Sequence, residues 1–148
     1  MSRSPAGSFA GNVSAAEAFD ALSSEPDSVL IDVRTKPEWA YVGIADLSSI
    51  GKDTLLVEWQ TYTVMAVNED FADVLSEELE RRGIGRETAL FFLCRSGVRS
   101  LAAAEAMAAA GYDRCFNISG GFEGPLDGAR HRGAVEGWKA AGLPWVQS

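Results

Sequence analysis

A chain of 148 residues, 47% of them hydrophobic and 23% charged, has the make-up of one soluble globular domain with a buried core. Its 21 acidic and 13 basic side chains leave a net charge of −8, which argues against a nucleic-acid partner, because phosphate backbones are held by clustered Lys and Arg. Residues 1–11 hold no continuous apolar run and no segment approaches a membrane span, so a cytoplasmic protein without a membrane partner is expected.

Residues 1–12 read as a flexible tail and 13–148 as the domain. Ser14 and Glu17 have the spacing of a capping box, and Ala15, Ala18, Phe19 and Leu22 follow at helical intervals before Pro26. Ser28 to Val33 is a short run that suits a buried strand. One or two helical turns are expected from Pro37 to Val42, stopped by Gly43. Residues 55–67 are rich in strand formers and predict an exposed or edge strand, ambiguous in its second half. Asn68 to Asp70 open a helix whose apolar stripe is Phe71, Val74, Leu75 and Leu79, and Arg81-Arg82-Gly83 ends it.

Ala89 to Leu93 is a continuous apolar run, which marks a strand covered on both faces. It leads into Cys94-Arg95-Ser96-Gly97-Val98-Arg99-Ser100 and then an alanine-rich helix, expected from Arg99 to Ala110. A strand from Cys115 to Ile118, a glycine-rich loop from Ser119 to Gly133 and a short helix from Val135 to Ala141 complete the reading. Strands alternating with helices imply an α/β sandwich: parallel strands, right-handed crossovers and helices on both faces. Ligands in such sheets bind at the carboxyl ends of the strands. Asp32 and Arg34 close one strand, and Cys94 closes another.

A cysteine between a buried strand and a helix start sits where backbone N–H groups and the helix dipole converge, which favours a nucleophilic thiolate. Arg95 and Arg99 add positive charge, and Gly97 lets the backbone curl so that its N–H groups face inward. The two arginines oppose the dipole at a helix start, so they are read as serving a ligand. Cys94 and Cys115 are expected as free thiols in a reducing compartment. Cys115 is read as core, and Trp39, Trp138 and Trp145 as core or rim packing, with Trp59 a candidate substrate wall. His131, the only histidine, is expected in solvent. No metal-ligand cluster is visible.

The segment 94–100 resembles the active-site loop of rhodanese domains. Ile31-Asp32-Val33-Arg34 with Glu38-Trp39 and Gly43-Ile44 is similar to that family's upstream motif. Asn117-Ile118-Ser119-Gly120-Gly121-Phe122, with Gly137-Trp138 and Gly142-Leu143-Pro144, is similar to its C-terminal signature. These motifs span about residues 13 to 146 in the family's order. The chain departs from the family after Gly43, where Ile44-Ala45-Asp46 replaces the common His-Ile-Pro-Gly-Ala, so the path of 44–67 is left open.

The resemblance implies a three-layer rhodanese-like sandwich and a sulfurtransferase. Cys94 would take sulfur from a small anionic donor such as thiosulfate or a persulfide, hold it as a persulfide and pass it to a thiol or a sulfur-accepting protein. No cofactor is implied. Arg95 would meet the donor, Arg99 would brace the loop against Asp32 or Glu38, and Ser96 and Ser100 would act as hydroxyl donors or caps, with Gly97 and Val98 completing the loop. Asp32 and Arg34 would either support the site or form an ion pair beneath it. A phosphatase or arsenate reductase would carry five residues between its Cys and Arg, and only four separate Cys94 from Arg99. A binding module without catalysis is the other rival, and such modules often lack the cysteine.

Overall fold

Short apolar strands, too brief for helices and covered on both sides, set the middle layer of the molecule. A computed structural model describes residues 9–61, 66–124, 128–129, 132 and 136–147. In chain order the elements are β1 (Gly11–Val13), α1 (Ala15–Ser24), β2 (Val29–Asp32), α2 (Lys36–Tyr41), β3 (Ile44–Ala45), a 3-10 turn (Ser48–Ile50), β4 (Leu55–Leu56) and β5 (Gln60–Thr61). Then come β6 (Ala66–Val67), α3 (Phe71–Arg81), β7 (Ala89–Leu93), α4 (Val98–Ala109), β8 (Arg114–Ile118) and β9 (Trp145–Val146).

Five strands form one sheet in the order β1-β8-β7-β2-β4, every pair of them parallel. Alternation along β2 and β7 splits their side chains between two cores. Val29, Ile31, Leu90, Phe92 and Cys94 pack with Phe71, Leu75 and Leu79 of α3 and with Ala103, Ala104 and Met107 of α4. Leu30, Ala89, Phe91 and Leu93 pack on the other face with Ala15, Ala18 and Leu22 of α1, beside Phe122 and Trp138. This is the expected α/β sandwich with a parallel central sheet and helices on both faces. Among the described residues, no helix is long and apolar enough to cross a membrane.

Several local expectations needed correction. Gly11 and Asn12, read as the end of a tail, pair with Phe116 and Asn117 as the sheet's edge strand. Residues 55–67 are not one strand. Only Leu55 and Leu56 join the sheet, while Gln60–Thr61 and Ala66–Val67 pair antiparallel with each other. Both segments have β-forming side chains, and nothing in that composition marks the break between them. Glu136 to Gly142 make bends and turns in place of the expected helix, and Val135 lies outside the described residues. The end of the chain supplies an unforeseen strand, β9, antiparallel to β3. The capping box at α1 is as read, with Glu17 N–H donating to Ser14 Oγ at 3.1 Å and Ser14 N–H to the Glu17 carboxylate at 2.9 Å.

A buried ion pair closes the end of β2. Arg34 and Asp32 are both fully buried, joined at 2.7 Å (Nη2 to Oδ2) and at 3.0 Å (Nε to Oδ1). Arg34 Nη2 also donates to the Gly43 carbonyl at 2.7 Å, and its guanidinium lies 4.2 Å from the centre of the Phe122 ring. Asp32 and Arg34 thus form the ion pair beneath the loop that is one of the two readings of this motif. Replacing one member strands the other charge away from water. Arg34→Ala is therefore expected to cost about 3–5 kcal/mol in urea unfolding, and Asp32→Asn should be destabilising in the same direction.

Candidate active site

Cys94 follows the last residue of β7, and α4 begins four residues later. Its Sγ accepts a hydrogen bond from the Gly97 N–H at 3.1 Å and lies 3.2 Å from Ser100 Oγ. The first amides of α4 have no acceptor within their own helix and open toward the same turn. Gly97 adopts φ +103°, and a Cβ there would sit 2.3 Å from the Ser119 carbonyl oxygen. Only glycine allows the loop to lie this close to the segment below it.

That segment is the Ser119–Gly124 stretch. Phe122 N–H donates to the Cys94 carbonyl at 2.7 Å, and the N–H groups of Glu123 and Gly124 both donate to the Arg95 carbonyl at 3.0 Å. A second layer supports the first: Trp138 N–H donates to the Gly121 carbonyl at 2.8 Å, and Lys139 N–H to the Phe122 carbonyl at 3.1 Å. Trp138 is fully buried, with its indole N–H on the Pro144 carbonyl at 2.6 Å and its ring edge-on to Phe19 of α1. The C-terminal motifs are thus the floor of the loop.

Arg99 points to Glu38, not to Asp32. Its two terminal nitrogens donate to the two carboxylate oxygens at 2.7 and 3.0 Å. Glu38 also closes the start of α2, accepting from the Thr35 N–H and hydroxyl at 3.2 and 3.0 Å. Burial works against its charge, but the hydrogen bonds and charge of Arg99, with those from Thr35, outweigh burial and hold the carboxyl below its ordinary range. Arg95 and Val98 are exposed, Ser96 is half-buried, and Ser100 is buried.

A cleft of about 390 Å³ opens over Cys94 between Glu38, Gln60 and the loop residues Arg95, Ser96, Val98 and Arg99. It lies at the carboxyl ends of the strands, the end that binds ligands in open parallel sheets. A larger cleft of about 740 Å³ lies at the other end of the strands, between the Glu25–Arg114 pair and Arg86, and no cysteine lines it. Gln60 was not singled out in the sequence. Trp59 was, but its ring packs edge-on against Phe71 at 5.0 Å, and the next residue along lines the cleft. Asn117, another residue with no assigned role, reaches the site from β8: it accepts from the Ser100 hydroxyl at 2.5 Å.

Cys115 is a fully buried free thiol in the core, and burial, then the charge of Asp113, push it up to about 12. His131 lies outside the described residues. Among the described residues, no group of three His, Cys, Asp or Glu side chains could hold a metal ion.

Residues 10–148 match the family described as the STR4 middle domain. An uncharacterised protein of Rickettsia rickettsii is 37% identical over 90% of this chain and 95% of its own length. A chloroplastic thylakoid rhodanese-like protein of Oryza sativa is 30% identical over 92% of this chain, which spans 25% of that larger protein. The crystal structure of Rv0390 from M. tuberculosis superposes with a TM-score of 0.82 at 45% identity, covering 95% of this chain and all of that one. The polysulfide-sulfur transferase homodimer of Wolinella succinogenes shares the fold at a TM-score of 0.59 and 20% identity, over 97% and 81% of the two chains.

Two expectations follow from this geometry. Gly121 has φ +66°, and a Cβ there would lie 2.5 Å from the Arg95 carbonyl oxygen. Gly121→Ala should therefore cost at least about 2 kcal/mol in thermal unfolding and loosen the loop above it. The depressed Glu38 carboxyl contributes stability that is present at neutral pH and is lost as pH falls below the ordinary carboxylate range through its folded-state value. Acid titration followed by loop proteolysis should show this step, and Glu38→Gln should abolish it.

Proposed function

We propose that this chain, which belongs to the STR4 middle domain family and has a rhodanese-like fold, is a sulfurtransferase that carries sulfane sulfur as a persulfide on Cys94. The observation that carries the proposal is the seat of Cys94 Sγ. It lies under an open cleft, 3.1 Å from an inward-facing N–H at the start of a 12-residue helix. Fixed backbone dipoles of this kind stabilise negative charge without reorganising as the reaction proceeds.

The steps balance without an outside oxidant or reductant. The Cys94 thiolate attacks the outer sulfur of the donor, a new S–S bond forms, and the donor's own bond to that sulfur breaks. With thiosulfate, sulfite departs with the electron pair. An acceptor nucleophile then attacks the outer sulfur of the persulfide, and the Cys94 thiolate leaves. Two covalent half-reactions of this kind give ping-pong kinetics. Arg95, exposed at the rim, attracts an anionic donor, while Arg99 is bound to Glu38 and braces the loop. Ser96, Gly97 and Val98 offer their amides, and Ser100 its hydroxyl, to the sulfur. Thiosulfate, or a persulfide on a small thiol or a protein, fits this chemistry, and a thiol or sulfur-carrying protein is the acceptor.

Intact-mass spectrometry before and after exposure to thiosulfate or glutathione persulfide tests the reading. A gain of one sulfur atom is expected, reversed by cyanide and absent from Cys94→Ala, with Cys115 unmodified. No gain from either donor, while Cys94 remains open to alkylation, would sink it.

A further inference from the structure

The hydrogen-bond count around Cys94 leaves Asn117 to be explained. This side chain is 3% exposed on β8, and Ser100 and Cys94 beside it are 0% and 1% exposed, so water cannot settle their hydrogen bonds for them. The orientation of the Asn117 amide follows from what it faces. A backbone carbonyl only accepts, so the atom 3.2 Å from the Gly97 carbonyl oxygen is the amide nitrogen. That nitrogen also donates to Asn12 Oδ1 on β1 at 2.9 Å. Asn117 Oδ1 is therefore turned to Ser100, 2.5 Å away, and takes its proton.

A hydroxyl has one proton to give. With that proton on the Asn117 side, Ser100 presents only lone pairs to Cys94 Sγ, 3.2 Å away. A thiol can donate to those lone pairs; an anionic sulfur is repelled by them. We infer that Asn117 is a positioning residue that holds the Ser100 hydroxyl in one of two settings, toward Asn117 while Cys94 is a thiol and toward the sulfur once Sγ is anionic. Its place in catalysis rests on the persulfide reading above.

When the S–H proton leaves to solvent, the Ser100 O–H turns from Asn117 Oδ1 to the sulfur. No covalent bond changes in that turn, and Ser100 stays protonated throughout. The sulfur gains a second donor beside the Gly97 N–H, and Asn117 Oδ1 loses its own. Asn117 thus reserves the Ser100 proton against use by the resting thiol. The same amide pins the Gly97 carbonyl, which also accepts from Leu101 N–H, so it ties the hydroxyl and the loop together.

The test is the rate of Cys94 alkylation by iodoacetamide at one fixed neutral pH, in a double-mutant cycle with Ser100. Freeing the Ser100 proton should make Asn117→Ala react about two- to tenfold faster than the native protein, the worth of one hydrogen bond. In a Ser100→Ala background, the same change should give no acceleration. A folded Asn117→Ala that reacts no faster, or an acceleration that survives in Ser100→Ala, would overturn the inference, since an effect of loosened packing does not depend on Ser100.

Should Asn117→Ala fail to fold, the native protein supplies its own reading. The Cys94 S–H infrared band, isolated by difference against Cys94→Ala, should lie at the position of a hydrogen-bonded donor. A free-thiol band would overturn the assignment. Neither measurement uses a sulfur donor. Failure of the native protein to take up sulfur would therefore strike the sulfurtransferase reading and leave this result intact.

Discussion

Every peptide group has two ends, and the Cys94 loop keeps its shape because one end of several is already spoken for. The carbonyls of Cys94 and Arg95 are drawn down by three N–H groups of the Phe122–Gly124 segment. With the carbonyls committed below, the amides are left to face the cleft. A loop free to rotate would present carbonyl oxygen to an anionic sulfur about as readily as N–H. The floor fixes which end of these peptides faces down, and Gly121 is the floor glycine that touches the loop backbone directly, while Gly120 and Gly124 lie against Glu136 and Gly137.

Two ion pairs divide the work of holding this arrangement. Asp32 and Arg34 are sealed in the interior, where they join β2 to Gly43 and to Phe122 of the floor. Glu38 and Arg99 lie near the surface and join α2 to the first turn of α4. A cation at a helix start opposes the helix dipole, and the carboxylate of Glu38 offsets that penalty. Their pairing also offsets the charge of Arg99, leaving Arg95 as the unpaired cation among the described residues that line the cleft. An acidic protein thereby keeps a locally attractive entrance for an anion.

The alternation of apolar runs with helical stripes made the sandwich legible, because both periodicities come from burial, and burial decides this fold. The Cys94 loop stood out as a cysteine with two arginines at a helix start, yet the structure gives one of them, Arg99, a local partner in Glu38. The Arg99 partner could not be chosen, since Asp32 and Glu38 are both acidic residues of the same motif. Asn12 and Gln60 were not singled out in the sequence, and Asn117 was read only as part of a motif, because Asn12 and Asn117 are ordinary polar side chains whose partners come from distant segments. The hairpin of β5 and β6 and the terminal strand β9 were missed because two-residue strands are set by their partners, not by their own composition.

The layering also orders events in time. A ribosome makes Cys94 before the residues that support it: Asn117 and the floor at 119–124 follow it in the chain, and Trp138 and Lys139 follow the floor. The edge strand β1, made first, must wait for β8 before Asn12 can reach Asn117. Contacts between such distant segments form late, since closing long loops must precede the reward for pairing them. An emerging chain therefore carries Cys94 without its support until Asn117, the 119–124 floor, Trp138 and Lys139 have folded back beneath the loop.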